Sequence, residues 1–176
     1  MWKRWHGTSA QRIRLPAQGR QPPAERRDMN HSGTIQDILT QKGATVWSIS
    51  PDATVFDAIQ LMADKNIGAL LVTEQGKLVG ILSERDYTRK VVLKGKSSKQ
   101  TPVREILSGD MIHVTPNHTV DECMRLMTEH RVRHLPVLSS GQVAGIVSIG
   151  DLVNWIITAQ HSTIQQLQSY IAGYSG

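Results

Sequence analysis

The chain has 176 residues, enough for one hydrophobic core or for two small units that share one. Its single cysteine, Cys123, excludes an intrachain disulfide, and no apolar run reaches the ~20 residues that a membrane-spanning helix needs. The net charge of +5 lies in residues 1–32, which hold seven Lys and Arg against two acids, so it does not indicate a nucleic-acid-binding fold.

Residues 1–32 lack a stable apolar period and contain the stretch LPAQGRQPPAERR, so we predict a disordered basic extension. Three interpretations of this tail stay open: a solvated extension upstream of a true start at Met29, an Arg-rich organelle transit segment, and a nucleic-acid-binding arm. A secretory signal is disfavoured because the tail has no apolar stretch of ~7–15 residues. The expected location is the cytoplasm, or an organelle matrix if the tail is a transit segment.

The rest of the chain is an internal repeat with a constant offset of 65 residues. Two motifs occur once in each copy, Pro-x-x-Thr-Val near its beginning and Gly-x-x-Ser-x-x-Asp near its end, at residues 51–55, 116–120, 80–86 and 145–151. Upstream of each copy, IQDIL at 35–39 resembles VREIL at 103–107 with an offset of 68. The chain therefore contains two related units.

Each unit predicts the order short strand, helix, strand, turn, strand, helix. TVFDAIQLMADK places its apolar residues on one helix face, and Thr54 with Asp57, like Thr119 with Glu122, has capping-box spacing. GALLV and HLPVL predict buried strands, EQGK and SSGQ predict turns, and LVGIL and VAGIV predict second strands. We predict a mixed α+β and α/β fold in which two β-α-β-β-α repeats pack together, because neither buries its faces alone.

The repeated Gly-x-x-Ser-x-x-Asp motif has two interpretations that spacing cannot separate. At a strand-to-helix junction it is a capping pattern, in which Ser accepts a bond from an early helix N–H and Asp lies at the positive end of the dipole. The same groups can also bind a nucleotide, with N–H groups and Ser on phosphate and Asp on both ribose hydroxyls. The candidate residues are Ser83, Asp86, Ser148 and Asp151.

These motifs, the segment RVRHLPV and the 65-residue period resemble a tandem pair of CBS domains, the module named after cystathionine β-synthase, over residues 34–158. The resemblance implies a disc-like module with two pseudo-symmetric clefts for adenine nucleotides (AMP, ADP, ATP, NAD(H) or S-adenosylmethionine). It implies a non-enzymatic regulator of a separate, unknown protein, with no catalytic cofactor and no metal. We divide the chain into a tail at 1–32, repeats at 33–98 and 99–158, and a C-terminal helix extension at 159–176.

The resemblance also implies the residues of each cleft. In the first, here called the Asp151 cleft, phosphate and ribose meet Ser148, Gly150, Asp151, Arg133 and His134. Its adenine wall comprises Lys42, Gly43, Trp47, Ile67 and Gly68. The second, here called the Asp86 cleft, comprises Ser83, Arg85, Asp86, Met111, Ile112, Val132 and the backbone of Arg133.

Two features lie outside these motifs. Residues 152–172 carry a long apolar helical stripe, from which we predict a homodimer that uses Trp155 and Ile156, with packing inside the module as the alternative. Cys123 falls on an apolar helix face, which predicts a core thiol.

Two other functions stay open as alternatives. A nucleic-acid binder would use the tail and the basic run at 85–99, but Tyr87 is the only aromatic residue in that run, which disfavours base stacking. The same run is also explained by a solvated face or by contact with a polyphosphate. A nucleotide-acting enzyme is disfavoured because no nucleophile–base pair, metal triad or Walker loop is recognisable.

Overall fold

The computed structural model describes residues 10–14, 33–43, 45–107 and 111–173. Its strands are β1 Ala10–Arg14, β2 Thr45–Ile49, β3 Ala69–Glu74, β4 Lys77–Ser83, β5 His134–Ser139 and β6 Gln142–Ser148. Its α-helices are α1 Ile35–Lys42, α2 Val55–Lys65, α3 Glu84–Lys90, α4 Val120–Glu129 and α5 Ile149–Gly173, and 3-10 turns span Val92–Lys94 and Val103–Ile106. The predicted mixed fold of two repeats is confirmed.

The strands form two sheets, one for each repeat. The first has the order β1-β2-β3-β4, with β2 parallel to β3 and β3 antiparallel to β4. The second contains β5 and β6 in an antiparallel pair. The predicted first strand of the second repeat is reduced to one parallel bridge between Val114 and Val137, so the two sheets are not identical.

The prediction of disorder in the tail is wrong for residues 10–14. These residues form β1, which pairs antiparallel with β2 from Ala10 opposite Ile49 to Arg14 opposite Thr45. Without β1, that side of β2 would be a free sheet edge with unpaired backbone groups, and pairing satisfies them. Residues 1–9 and 15–32 lie outside the described residues, so for them the prediction stays a prediction.

The repeat helices begin where the capping pattern predicts. Thr54 Oγ1 donates to Asp57 Oδ2 over 2.7 Å and accepts from the Asp57 N–H over 3.1 Å, and Thr119 pairs with Glu122 in the same way. Each box satisfies N–H groups that the first helical turn leaves without partners. The predicted caps of α2 and α4 are therefore confirmed.

The segment that precedes each repeat packs into the other repeat. Helix α1, which precedes the first repeat, contributes Ile35, Ile38 and Leu39 to the core around α4, β5 and β6. The 3-10 turn that precedes the second repeat contributes Val103 and Ile106 to the core around α2, β3 and β4. The sequence division at residue 98 therefore does not coincide with the division between the two cores.

Backbone hydrogen bonds join each of these segments to the repeat that it covers. The Ile35 N–H donates to the His118 carbonyl over 2.9 Å, and at the equivalent position the Val103 N–H donates to the Ala53 carbonyl over 2.9 Å. The two donors, Ile35 and Val103, are 68 residues apart, and the two acceptors, Ala53 and His118, are 65 apart. These are the offsets found for the same segments in the sequence. The exchange thus obeys a pseudo-twofold relation.

The glycine of each repeated motif makes room for this exchange. A Cβ on Gly145 would lie 2.5 Å from Leu39 Cδ2, and a Cβ on Gly80 would lie 3.0 Å from Leu107 Cδ2. Both distances are shorter than ordinary contacts, so a side chain at either strand position would push the covering leucine outward. The Gly of Gly-x-x-Ser-x-x-Asp therefore has a packing role.

Helix α5 has an inner and an outer face. Trp155 and Ile156 pack against the core of the second repeat, and a Cβ on Gly33 would lie 2.2 Å from the Trp155 ring. The exposed side chains are instead Val153 at 41% and Ile157 at 49%. This packing supports the alternative that Trp155 and Ile156 serve the module itself, and their part in a dimer contact stays a prediction.

Cys123 is a core thiol, as predicted. Its side chain has no solvent exposure and lies in the core of the second repeat. Burial, with a smaller contribution from the charge of Glu122, raises the pKa of Cys123 to about 11.

Candidate functional site

Both Ser–Asp pairs form capping boxes at strand-to-helix junctions. Ser83 Oγ donates to Asp86 Oδ2 over 2.6 Å and accepts from the Asp86 N–H over 3.3 Å. Ser148 Oγ donates to Asp151 Oδ2 over 2.8 Å and accepts from the Asp151 N–H over 3.2 Å. The capping interpretation therefore holds at both sites, and a ligand would share these groups with the helix.

Each of these carboxylates also has a lysine partner, and the two lysines come from elements that are not equivalent. Lys90, one turn along α3, places Nζ 3.1 Å from Asp86 Oδ1. Lys42, the last residue of α1, places Nζ 2.6 Å from Asp151 Oδ2 and also donates to the Ile146 carbonyl over 3.3 Å. Lys42 was assigned to the adenine wall, but its ammonium lies on the carboxylate expected to hold ribose.

Burial and charge shift two pKa values around Asp151. Burial alone would raise the pKa of Asp151, but hydrogen bonds from Lys42 and Ser148 outweigh it and hold the pKa below the ordinary value. Burial lowers the pKa of His134, and the positive charges of Lys42 and Arg133 lower it further against the opposite effect of Asp151. His134 is therefore neutral at pH 7.

A cavity of about 350 Å³ opens at Asp86, here called the Asp86 cavity. It is lined by Gly68, Ile81, residues 83–86, 89–90 and 130–134. It thus combines side chains of both repeats, and its volume lies in the ~300–1,000 Å³ range of small-molecule sites. The residues assigned to the Asp86 cleft that line it are Ser83, Arg85, Asp86, Val132 and Arg133.

Two residues assigned to the Asp151 cleft also lie at the Asp86 cavity. Gly68 and His134 both line it, and a Cβ on Gly68 would lie 3.5 Å from His134 Cε1. That distance is an ordinary van der Waals contact, so Gly68 and the imidazole are neighbours in the cavity wall. Their assignment to the other cleft therefore differs from where the structure brings them.

A smaller cavity of about 310 Å³ lies at Asp151, between α1 and α5. Its lining residues are Ile38, Gln41, Lys42, Asp151, Asn154 and Trp155. Of the residues assigned to the Asp151 cleft, only Lys42 and Asp151 line this cavity. Ser148 remains hydrogen-bonded to Asp151 beside it.

Other assigned residues line neither cavity: Gly43, Trp47, Met111, Ile112 and Gly150. Ile67 also lies apart, since it packs with Trp47 on the core of the first repeat. The Lys65 ammonium lies 4.5 Å from the centre of the Trp47 ring, and Ile112 packs on the other core. An adenine wall made of these residues stays a prediction.

Four residues outside the predicted set line the Asp86 cavity and carry a positive charge or an imidazole: Arg89, Lys90, His130 and Arg131. The sequence does contain an indication for Arg89, because it follows Arg85 by four residues and so lies on the same face of the helix. Arg131 gave none, because its position depends on a left-handed turn, φ 54°, between α4 and β5. Its carbonyl accepts a hydrogen bond from Arg85 Nη1 over 2.9 Å.

Two absences hold for the described part of the chain. Within it, no group of three or more His, Cys, Asp and Glu side chains is arranged to hold a metal ion. None of the helices described there has the length and apolar character to span a membrane.

Comparison with known proteins places these features in a family. The CBS domain model matches residues 35–93 and 103–158. The mitochondrial CBS domain-containing protein CBSX3 of Arabidopsis thaliana is 40% identical over 152 residues, 81% of this chain and 73% of that protein.

Solved structures show the same relationship. A protein with CBS domains from Burkholderia ambifaria MC40-6 is 50% identical with a TM-score of 0.69, over 72% of this chain and 95% of that one. A hexameric CBS-CP12 protein from bloom-forming cyanobacteria is 30% identical with a TM-score of 0.62, over 69% of this chain and 71% of that one. The chain is a tandem CBS-domain protein and belongs to the CBS domain family.

Proposed function

We propose that this chain is a non-catalytic regulatory module that binds an adenine nucleotide between its two CBS repeats and signals to a partner protein. The observation that carries the proposal is the Asp86 cavity, because residues of both repeats line it. A ligand there contacts both repeats at once. The family supports the proposal, since CBS pairs are regulatory modules that often bind adenosine ligands.

The Asp86 cavity supplies the three kinds of contact that a nucleotide needs. Ile81 and Val132 are apolar surfaces for a base, Asp86 is an acceptor for ribose hydroxyls, and Arg85 and Arg133 are cations for phosphate. Arginine suits this role because its planar donors match phosphate oxygens in pairs. Both Oδ atoms of Asp86 already accept bonds, so ribose would share or replace the contact with Lys90.

Signalling follows from the position of the cavity between the repeats. The hydrogen bond from Arg85 to the Arg131 carbonyl already joins the two repeats across it. A nucleotide that contacts both sides favours one relative arrangement of them, by its difference in affinity between arrangements. The changed surface then acts on another protein, because the described residues carry no second type of domain.

We also propose that the module is a homodimer. The supporting observation is the outer face of α5, where Val153, Ile157 and Ile164 are 41%, 49% and 51% exposed. These side chains recur at intervals of four and seven residues, which places them on one helix stripe. The hexameric CBS-CP12 relative shows that a similar module assembles, and a second copy of this chain is the occupant we propose.

Melting curves with a panel of nucleotides test nucleotide binding. Adenine nucleotides should raise the melting temperature, because a ligand bound only to the folded state stabilises it, by about 2.7 kcal/mol at a hundredfold excess over Kd. Guanine and pyrimidine nucleotides should raise it less. An equal shift for all bases would mean that phosphate alone is bound, and no shift for any would reject the proposal.

A further inference from the structure

The Asp86 cavity has a strong excess of positive charge. Five cationic side chains line it, Arg85, Arg89, Lys90, Arg131 and Arg133, against the two carboxylates of Glu84 and Asp86. Like charges that share a small space repel one another, so their concentration there needs an explanation beyond the solvation of single side chains.

Among the described residues, most of this positive charge has no acidic partner. Lys90 is committed, since its ammonium lies 3.1 Å from Asp86 and donates to the Ile106 carbonyl over 2.8 Å. In contrast, the guanidinium groups of Arg89, Arg131 and Arg133 form no hydrogen bond or ion pair with any described residue. Three guanidinium groups at one cavity are therefore available to an anion.

The pseudo-symmetric positions provide an internal control, because the fold builds each position of the Asp86 cavity a second time. At an offset of 65 residues, every one of the five cations is replaced by a neutral residue: Gly150, Asn154, Trp155, Asn66 and Gly68. Of these five residues, only Asn154 and Trp155 line the cavity at Asp151, whose one cation, Lys42, is paired with Asp151. The fold alone therefore does not require this cluster, which is a property of one cleft.

The geometry indicates an extended anion and not a single phosphate. Arg85 and Arg89 lie one helical turn apart on α3, with Cβ atoms about 5–6 Å apart at that spacing. Arg131 lines the same cavity from the other repeat, and its carbonyl accepts from Arg85 Nη1. Arg85 and Arg133 suffice for a phosphate beside the ribose, so Arg89 and Arg131 are left for phosphates further along a chain.

We propose that the Asp86 cavity selects nucleotides by their number of phosphates, and that Arg89 and Arg131 are the residues that discriminate. It binds a triphosphate more tightly than a diphosphate, and a diphosphate more tightly than a monophosphate. The Asp151 cavity, with its single paired lysine, does not discriminate. This inference rests on the proposed nucleotide function, and free polyphosphate offers the same chemistry without the base.

The test measures affinities by calorimetric titration of the full chain with adenosine, AMP, ADP, ATP and inorganic tripolyphosphate, in magnesium-free buffer. Asp151→Ala combined with Lys42→Met serves as the background, so that the Asp86 cavity is observed alone and no unpaired lysine is left at the other cavity. On this background, Arg89→Gln and Arg131→Gln remove one charge each and keep a polar side chain. Arg125→Gln is the matched control, because Arg125 is exposed on α4 and lies outside the cavity.

In this double-mutant background we expect ATP to bind at least about tenfold more tightly than AMP. Arg89→Gln and Arg131→Gln should each weaken ATP about tenfold and leave adenosine unchanged, since a hydrogen bond to a charged group contributes a factor of this size. Arg125→Gln should change neither affinity. Equal affinity for ATP and AMP, or equal losses for ATP and adenosine, would overturn the inference.

The ligand panel separates failure of the inference from failure of the proposed function. If adenosine and AMP bind and further phosphates add nothing, the nucleotide site stands and phosphate selection is wrong. If adenosine does not bind and tripolyphosphate binds through Arg89 and Arg131, the cavity selects polyanions and the adenine proposal is wrong. If neither adenosine nor tripolyphosphate binds, both are wrong.

Discussion

Asp151 connects a helix start, a lysine from α1 and the proposed ribose position. Its Oδ2 accepts from the Ser148 N–H over 2.7 Å, from Ser148 Oγ over 2.8 Å and from Lys42 over 2.6 Å. Asp86 divides its contacts differently, with Ser83 on Oδ2 and Lys90 on Oδ1. A ribose at Asp151 would therefore compete with a side chain from α1, whereas a ribose at Asp86 would compete within α3.

The Lys42–Asp151 pair predicts a pH-dependent loss of stability. The pKa of Asp151 is lower in the folded state than its ordinary value of 3.8. Its ionised form therefore stabilises the fold above pH 3.8, and this stabilisation is lost as the pH falls through the lowered pKa. Lys42→Met should lower the free energy of unfolding near pH 7 by up to ~1 kcal/mol, because the pair is partly exposed. Urea denaturation of both proteins at pH 7 and near pH 2 should show the difference only at pH 7. An equal difference at both pH values would contradict the ion-pair explanation.

Gly33 should tolerate no side chain. A methyl group there would meet the Trp155 ring at 2.2 Å, so the indole or the backbone must move. Gly33→Ala should lower the free energy of unfolding by about 1–3 kcal/mol. Gly150→Ala is the control, because its Cβ meets only Ser148 Oγ at 3.6 Å and its effect should stay within about 0.5 kcal/mol. Equal urea midpoints for Gly33→Ala and wild type would show that this contact is not tight.

At the scale of elements, the sequence predicted which segments form and not which segments meet. The apolar positions of IQDIL and VREIL indicate buried faces, and their offset of 68 indicates equivalence. Neither observation says which repeat each face covers, because periodicity describes one element and packing involves two. The exchange of Ile35 and Val103 between the cores could therefore be found only in the structure.

The exchange predicts where a defect in α1 will be felt. Leu39→Ala should cost about 2–5 kcal/mol by leaving a cavity, and amide hydrogen exchange should accelerate most in β5 and β6. Leu107→Ala is the matched control from the other repeat and should accelerate exchange most in β3 and β4. If Leu39→Ala loosens β3 and β4 as much as β5 and β6, the two cores are not separately covered.

The outer face of α5 predicts the dimer contact. Val153→Asp and Ile157→Asp should each convert the dimer to folded monomers, because they place a charge in a desolvated apolar contact. Trp155→Asp should instead lower the stability of the module, since Trp155 packs on its own core. Light scattering and melting curves separate these effects. A wild-type monomer at micromolar concentrations would contradict the dimer.

For the molecule as a whole, the residues of one cleft were more predictable than those of the other. Ser83, Arg85 and Asp86 come from the repeated motif, and Val132 and Arg133 directly precede a predicted strand, so local sequence brought them to the Asp86 cavity. Most residues of the expected adenine walls line neither cavity, and these walls stay a prediction. They depend on how distant segments meet, and this is not encoded in the spacing of any single motif.

The two cavities differ in charge and in the elements that a bound ligand would contact. The Asp86 cavity carries a net positive charge and touches both repeats, whereas the Asp151 cavity lies between α1 and α5. A nucleotide bound at Asp86, as proposed, would therefore act on the relation between the repeats. A ligand at Asp151 would act first on α1, through Lys42.

Calorimetric titration with ATP tests the central claim, that an adenine nucleotide binds at Asp86, most directly. Asp86→Ala is compared with Asp57→Ala, which removes the same capping bonds from α2 and does not line the Asp86 cavity. Both should lower stability modestly, by about 0.5–2 kcal/mol. Only Asp86→Ala should weaken ATP at this cavity, by about tenfold or more. ATP affinity that is unchanged in Asp86→Ala, or equally reduced in Asp57→Ala, would show that Asp86 serves only to cap its helix.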